Sequence, residues 1–331
     1  MAYTTIDDPS AYFQTKLYTG TGSSLALTND GNSDLQPDWV WIKERNGATN
    51  QMLTDSVRGA TKTLHSQNTD TESTDAQALK SFNSDGFTVG TDGDVNTSSD
   101  TYVAWNWKKT ADAGFDIVSY TGNGSARTIS HSLSAVPGWI IVKNRDEGES
   151  WPIYHHKNTS APATDYLALN DTHATTDSNT RWNDTAPTSS VFTVGTSDVV
   201  NKNTIKYIAY LFAEKQGYSK FGSYAANESV DGTFVYTGFK PAFVILKQSN
   251  LARDWHMFDN KRSTFNAVGR YLRPNVSGAE DSGEDYLDLL SNGFKLKNTG
   301  NRFNDADGTY IFMAFAESPF VTSTGIPTTA R

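Results

Sequence analysis

Cysteine is absent from all 331 residues of the chain, which excludes disulfides, thiolate metal sites and cysteine nucleophiles. The formal net charge is −9 and no Lys/Arg cluster could follow a phosphate backbone, so we expect no nucleic-acid partner. No apolar stretch approaches the roughly 20 residues that a membrane helix needs. The first residues lack the basic flank and apolar run of a signal peptide. We therefore expect synthesis in a cytoplasm, without a cleaved signal and without membrane insertion.

Long runs of Ala, Leu, Glu and Lys, which favour helices, are also missing. The abundant residues are instead Gly, Ser, Thr, Asn and Asp, which are typical of turns. Aromatic residues make up 12% and hydrophobic residues 37% of the chain, which is enough to fill cores between many turns. This composition predicts an all-β protein built from short strands.

One short sequence occurs three times. PDWVWIK at Pro37–Lys43 returns as PGWIIVK at Pro137–Lys143 and as PAFVILK at Pro241–Lys247, at separations of 100 and then 104 residues. Self-similarity at a nearly fixed period indicates a repeated structural unit. Each copy is an apolar run that proline opens and lysine closes, which is typical of a buried strand.

Other residues recur at nearly the same spacing, namely Phe87, Phe192 and Phe294, and Tyr102, Tyr207 and Tyr310. The period of roughly 103 residues predicts three modules. The predicted segments are an N-terminal arm at 1–12, modules at 13–110, 114–216 and 217–320, and a C-terminal tail at 321–331.

We predict an all-β fold of three tandem β-sandwich modules, jelly-roll-like, with about six or seven strands each. In the first repeat strand Val40 and Ile42 alternate with Trp39 and Trp41, so both faces of this strand are expected to be covered. The links between modules are short. Short links predict modules that pack against each other rather than swing freely.

The stretch after the Phe87 strand is a candidate metal loop. Asp92, Asp94, Asn96 and Asp100 carry oxygen atoms at alternate positions, as the ligands of a calcium loop do. The glycine and the glutamate that such a loop places at its sixth and twelfth positions are missing, and the second module does not share the pattern. We therefore favour a polar connection between two strands, and expect no metal and no cofactor.

Two other polar patterns recur after the repeat strands. The adjacent pair His155–His156 lacks the further ligands that a zinc site needs. Asp55 and Arg58 lie three residues apart, and the third module repeats this pair at Asp259 and Arg262. We expect these ion pairs to be structural, because the second module lacks them and an exposed pair contributes at most about 1 kcal/mol.

Carboxylates crowd one predicted loop of the third module, at Glu280, Asp281, Glu284 and Asp285. Paired carboxylates carry out glycoside hydrolysis. These four have no evident counterparts in the other modules, and no GxSxG, HExxH, P-loop or GxGxxG pattern stands in a credible context. We therefore expect no catalytic residues and no enzymatic activity. A glycan-degrading enzyme is the disfavoured alternative.

The tryptophans are the remaining candidates for ligand contact, because aromatic faces stack on sugar rings. Those in repeat strands are better explained by core packing, and they are Trp39, Trp41, Trp105, Trp107 and Trp139. Trp151 and Trp255 occupy the same position after a repeat lysine, which also favours a structural role. Trp182 lies outside these positions, at a predicted strand end or loop, so it is the residue that we expect to contact a ligand.

A group of segments carries a family resemblance, and in chain order they are LYTGTGSSLALTNDGNSDLQPDWVWIK (Leu17–Lys43), DSVRGATK (Asp55–Lys62), LKSFNSDGFTVG (Leu79–Gly90), YVAWNWK (Tyr102–Lys108), WNDTAPTSSVFTVGT (Trp182–Thr196), GYSKFGSY (Gly217–Tyr224) and AEDSGEDYLDLLSNGFKL (Ala279–Leu296). They resemble structural proteins of tailed phages, especially marine and cyanobacterial phages. The resemblance extends from about Phe13 to Phe320. It implies a place on a virion and brings no catalytic residues.

The resemblance implies a non-enzymatic virion structural protein, first of all a tail-fibre or host-attachment component exposed on the particle. The alternative is a capsid decoration or cement protein on the outer capsid surface. The expected partners are other virion proteins of the tail or capsid, and a glycan or protein of the host-cell surface. A homotrimer and a monomer both stay open, because three modules in one chain could act alone.

Overall fold

The chain folds almost entirely into antiparallel β-sheets. The computed structural model describes residues 2–300 and 302–329, with 42% strand and 5% helix, which confirms the all-β prediction. Met1, Ala330 and Arg331, which the sequence assigns to the arm and the tail, lie outside the described residues.

The strands of the first module are β1 (Phe13–Thr19), β2 (Leu25–Leu27), β3 (Trp39–Glu44), β4 (Met52–Asp55), β5 (Lys62–His65), β6 (Ser73–Thr74), β7 (Leu79–Phe82), β8 (Phe87–Val89) and β9 (Thr101–Trp107). Those of the second are β10 (Phe115–Thr121), β11 (Arg127–Ser130), β12 (Trp139–Asn144), β13 (Pro152–His155), β14 (Asp165–Ala168), β15 (Thr176–Asp177), β16 (Val191–Val194) and β17 (Lys206–Phe212). Those of the third are β18 (Ser219–Ala225), β19 (Phe234–Tyr236), β20 (Phe239–Gln248), β21 (Trp255–Asp259), β22 (Val268–Tyr271), β23 (Asp281–Leu290), β24 (Gly293–Leu296) and β25 (Thr309–Pro319).

The helices of the described residues are single turns in loops, namely a 3₁₀ turn at Pro9–Ala11, α1 (Gly93–Asn96), α2 (Asn179–Trp182) and α3 (Asp198–Asn201). None of the helices in these residues is long and apolar enough to cross a membrane.

Each module pairs a large sheet with a small one. The large sheets have the orders β1-β9-β3-β4-β5-β6, β10-β17-β12-β13-β14-β15 and β18-β25-β20-β21, so the first two agree strand for strand. The small sheets are β2-β8-β7, β11-β16 and β19-β24-β23-β22. Residues at the same register position of corresponding strands are called equivalent below. A common origin of the modules by duplication stays a prediction.

The strand β3 shows how one sequence serves two cores. Every residue of β3 is buried, as both faces of this strand were predicted to be. Val40 and Ile42 face the small sheet and join the core of the first sandwich. Trp39 and Trp41 point to the opposite face and join a core that includes residues of all three modules. Alternation along a strand separates the two sets.

The shared core is rich in aromatic rings that meet across modules. Trp39 stacks on Tyr210 of the second module, with 4.6 Å between ring centroids. Phe13 packs at 5.8 Å from Phe243 of the third module, and Trp139 of the second packs at 5.7 Å from Trp255 of the third. Such ring pairs add stability beyond the burial of their area. The three modules therefore form one body rather than a string of separate sandwiches.

Both ends of the described chain pack on the third module or on each other. The Tyr3 hydroxyl donates to the carbonyl of Gly238 at 2.7 Å, and Ile6 is buried in the shared core. The Asp7 carboxylate accepts from the backbone N–H of Ser323 at 2.6 Å. The described part of the N-terminal arm is thus joined to the body of the protein.

Candidate functional site

Three joints close the modules into a ring. At each joint a loop of one module lies against the residue two positions after the repeat lysine of another, just beyond the end of the repeat strand. The backbone bonds that mark them run from the Glu72 N–H to the Arg145 carbonyl (2.9 Å, first to second module), from Thr175 to Ser249 (2.7 Å, second to third) and from Glu280 to Arg45 (2.7 Å, third to first). We call these the 1–2, 2–3 and 3–1 joints. The ring brings together residues that are more than 70 positions apart in sequence.

The lysine that closes each repeated sequence, the next-to-last residue of its strand, is buried near a joint. Lys43, Lys143 and Lys247 are at most 1% exposed. Lys143 Nζ donates across the 1–2 joint to the carbonyl of Thr69 at 2.9 Å. Burial lowers the pKa of each amine to about 8. A lysine with a lowered pKa is a candidate nucleophile, but these amines are enclosed by the carbonyls that they bind.

The 1–2 joint also holds a charge network. Glu72 accepts hydrogen bonds from Arg145 Nε at 2.8 Å and Nη2 at 2.9 Å. Arg58 Nη1 lies 3.4 Å from the same carboxylate. A carboxylate that pairs with two guanidinium groups has its lone pairs occupied. This network therefore has a structural role, which is to hold the first and second modules together.

The 3–1 joint repeats the network with Glu280. Its carboxylate accepts from Arg45 Nε and Nη2, both at 3.0 Å, and lies 3.3 Å from Arg262. Burial would raise the pKa of Glu280, but the bond from Arg45 and the charge of Arg262 lower it overall. Glu280 therefore has a counterpart in Glu72, which corrects the sequence interpretation that it has none. The 2–3 joint replaces the charges by Thr175 and its neutral partners.

Asp55 and Asp259 are buried and bind across the joints. Asp55 pairs with Arg58, both side chains being fully enclosed, and accepts from the Tyr210 hydroxyl of the second module at 2.8 Å. Asp259 pairs with Arg262 at 2.5 Å and accepts from a first-module indole, that of Trp105, at 3.1 Å. The sequence analysis estimated the stability contribution of these ion pairs as if they were exposed. The pairs are buried, so that estimate does not apply to them. Both carboxylates hold neighbouring modules together.

The histidine pair is divided between two contacts with the third module. His155 Nε2 lies 3.2 Å from the carbonyl of Phe312, and His156 Nε2 lies 2.7 Å from that of Phe221. Burial lowers the pKa of His155 to about 3, which keeps its imidazole neutral. Among residues 2–300 and 302–329, no group of three or more His, Asp or Glu side chains is placed to hold a metal ion.

The four oxygen-bearing residues of the candidate metal loop have separate partners. The Asp92 side chain caps α1 by accepting from the backbone N–H of Asp94 at 2.9 Å, and burial raises its pKa to about 6. Asp94 accepts from the Asn50 side chain at 2.8 Å. Asn96 is fully buried among backbone groups, and Asp100 accepts from another asparagine at 2.9 Å. The loop fits the polar connection that the sequence favoured.

Trp182 is buried inside the second sandwich. It ends the helix α2, is 2% exposed and donates from Nε1 to the carbonyl of Asp165 at 3.1 Å. Tyr154 packs edge-on against its ring at 6.1 Å. This corrects the expectation of an accessible loop position: the indole offers no exposed face on which a ligand could stack.

The acidic stretch of the third module forms a strand rather than a loop. Asp281, Glu284 and Asp285 lie in β23, which begins directly after Glu280. Asp281 accepts from the Tyr271 hydroxyl at 2.5 Å, and Glu284 accepts from an asparagine at 2.7 Å. Asp281 and Glu284 thus bind different partners, and Glu280 is occupied at the 3–1 joint.

The third module exposes an aromatic pair that the other modules lack. Phe234 and Tyr236 flank the buried Val235 in β19 and are 44% and 54% exposed. Their equivalents are Ala26 and Thr28 in the first module, and Thr128 and Ser130 in the second. Sequence reasoning considered only tryptophans as stacking residues and missed this pair. Aligning the three strands on the buried residue opposite Phe294 would have found it.

Residues 8–319 match a family model that is described as Domain of unknown function (DUF7483). A comparison with curated proteins finds no match.

Proposed function

The chain belongs to the DUF7483 family, and we propose that it is a non-enzymatic surface protein of a tailed-phage particle, a tail-fibre or host-attachment component. The resemblance of its segments to phage structural proteins supports a place on the phage particle. The observation that carries the attachment role is the exposed pair of Phe234 and Tyr236 on a scaffold whose other large rings are mostly buried. Aromatic side chains that a fold does not use for packing are typical of recognition surfaces.

The scaffold supports this role because it is stiff. The amines of Lys143 and Lys247 bind backbone carbonyls across the 1–2 and 2–3 joints, and the 1–2 and 3–1 joints contain largely buried carboxylate–guanidinium networks. A binding group on a rigid body loses little conformational freedom when it binds, so less of the contact energy is spent on ordering.

A capsid decoration protein is the second candidate, and the closed ring favours it. Three modules joined 1–2, 2–3 and 3–1 present three similar sides from one chain. Such a body matches a threefold position of a symmetric shell, where three copies of one surface meet. The partner would then be the capsid rather than a cell.

The two roles differ in what the purified protein binds. Labelled full-length protein is incubated with cells of the phage's host and, separately, with tailless capsids. Binding to cells and a handful of copies per particle support attachment. Binding to capsids but not to cells, with hundreds of copies per particle on a protein gel, supports decoration and rejects attachment.

A further inference from the structure

We propose that Phe234 and Tyr236 form the binding site for an anionic saccharide, a sugar ring that carries a carboxylate. The inference rests on the proposed attachment function and names the class of ligand. The two rings, the groove beside them and the charges that line the groove support this ligand class.

The two rings form one surface. Residues two apart on a strand share a face, so Phe234 and Tyr236 lie side by side while Val235 points into the core. Neither ring packs against another aromatic ring among the described residues. The Tyr236 hydroxyl lies 3.3 Å from that of Tyr3, which itself donates to the Gly238 carbonyl, so the tyrosine is held in place. The C–H face of a sugar ring packs on an aromatic platform of this kind.

A groove of about 430 Å³ opens beside the rings at the 2–3 joint. It is lined by residues of β18 and β19 and by Lys157, which lies in the turn after β13 of the second module. Lys220 and Ser223 line its side. The volume fits a small number of sugar rings. A protein partner needs a contact of roughly 1,000 Å², which a groove of this size does not offer.

The charge of the groove selects an anion. Its lining includes two lysines and no Asp or Glu, although the whole chain has a net charge of −9. Lys220 is paired with Glu214 at 2.8 Å. Lys157 is exposed and forms no ion pair with any described residue. Its amine is therefore available to a carboxylate carried by a sugar that stacks on the aromatic pair.

The corresponding groove at the 3–1 joint provides a comparison within the chain. It has a volume of about 360 Å³, and its lining includes Asp30 and Glu317. Its lysine, Lys261, is paired with Asp30 at 3.1 Å. Phe13 lines it but is only 3% exposed. The combination of open rings and an unpaired cation is thus found at the 2–3 joint and not at the 3–1 joint.

The test uses full-length protein and soluble probes in a calorimetric titration. The probes are tetragalacturonate, the neutral cellotetraose, and acetate. The main variant is Phe234→Thr/Tyr236→Ser, which introduces the residues that the second module carries at the equivalent positions, so the strand tolerates them. We expect tetragalacturonate to bind, and the double variant to bind it at least about tenfold more weakly, since each ring contact contributes on the order of 1 kcal/mol.

A second variant, Lys157→Gln, isolates the charge. We expect it to weaken tetragalacturonate binding several-fold and to make the remaining binding less sensitive to salt, because screening acts on the ion pair and not on the stacking. The matched controls are Phe265→Ala, which removes an aromatic ring that is 79% exposed outside the groove, and Lys206→Gln at an exposed strand end. Both should bind like the original protein, and thermal melting verifies that every variant is folded.

Several results overturn the inference. Equal binding by the double variant, equal binding of cellotetraose, or equal binding of acetate alone would each reject an anionic saccharide on the aromatic pair. Host cells that keep binding the protein after enzymatic removal of their polysaccharide would indicate a protein receptor. If the double variant still binds untreated cells, the inference fails while the attachment function stands. If the original protein binds capsids and no cells, the attachment function fails, and the titration still decides the saccharide site.

Discussion

At the scale of single residues, three asparagines shape the loops at one end of the sandwiches. Asn96, Asn201 and Asn304 are fully buried at equivalent places. The Asn96 side chain accepts from the Thr21 N–H at 2.8 Å and donates to two backbone carbonyls, those of Ser23 and Gly90. Asn201 binds three backbone groups in the same way, while Asn304 binds two backbone groups and the side-chain oxygen of Asn227. A side chain that satisfies three buried backbone groups has no capacity left for a metal ion.

Asn96→Asp tests this role. A carboxylate cannot donate, so two carbonyls lose their partners and face a negative charge, and we expect the free energy of unfolding to fall by about 2–4 kcal/mol. Urea unfolding measures the change, and Asp100→Asn in the same loop is the matched control. Millimolar calcium should leave the melting temperature of the original protein unchanged. A rise in the melting temperature with calcium would instead support a calcium site in this loop.

The buried lysines give stability a pH dependence. The pKa of Lys143 is lowered from 10.5 to about 8 in the folded protein. Between these values the unfolded chain binds more protons than the folded one, so the free energy of unfolding rises with pH from about 8 towards 10. Below pH 8 both states are protonated and this gain is lost. We expect Lys143→Met to show a smaller rise than the original protein.

The measurement is urea unfolding at several pH values between 7 and 10. Lys206→Met, at an exposed strand end, is the control and should keep the full rise. Parallel curves for the original protein and Lys143→Met would show that the buried amine does not titrate differently in the two states.

At the scale of elements, the sequence predicted strands better than it predicted their partners. The alternation in β3 is visible in the sequence, and both faces of β3 are covered. Which face meets the other modules was not predictable, because Trp39 and Val40 are both apolar. The strand β23 was mistaken for a loop because its acids and glycine hide a strand whose first half is exposed. Trp182 was misplaced because a polar segment surrounds a short helix that turns inward.

The joints were hidden from sequence for a different reason. Glu72 meets Arg145 across 73 positions and Glu280 meets Arg45 across 235, and no local pattern connects such residues. The 2–3 joint is harder still to predict, because Thr175 occupies the position that glutamate occupies in the other two joints. A comparison of the three modules finds equivalent positions, but only the closed ring shows which modules touch.

The joints predict unequal effects of substitution. Glu72→Gln leaves Arg145 without its carboxylate partner in a largely buried place, while Arg58 keeps Asp55, so we expect a loss of about 3 kcal/mol in the free energy of unfolding. Thr175→Val at the neutral 2–3 joint removes one hydrogen bond to Asn158, and the expected loss is about 1 kcal/mol. Urea unfolding compares them. Losses of equal size would mean that the charges add nothing beyond ordinary hydrogen bonds.

At the scale of the whole molecule, the shared core makes the three modules depend on one another for the burial of their apolar residues. The sequence divides the chain into three segments of ordinary domain size. The first and second modules have separate sandwich interiors, whereas the interior of the third is continuous with the shared core. Yet the inner faces of the large sheets meet one another in the shared core. The second module alone would expose Trp139, Ile141 and Tyr210, which are at most 3% exposed in the complete protein.

We therefore expect the three modules to unfold together. Differential scanning calorimetry should give one transition whose calorimetric and van't Hoff enthalpies agree, because opening any joint exposes the aromatic face of its neighbour. Glu72→Gln should shift this transition to lower temperature without splitting it. A fragment of residues 114–216 should lack the dispersed NMR spectrum of a folded protein, since its inner face would be in water. Two or more separate transitions, or a folded fragment, would mean that each sandwich core is sufficient and that the ring is an assembly of independent domains.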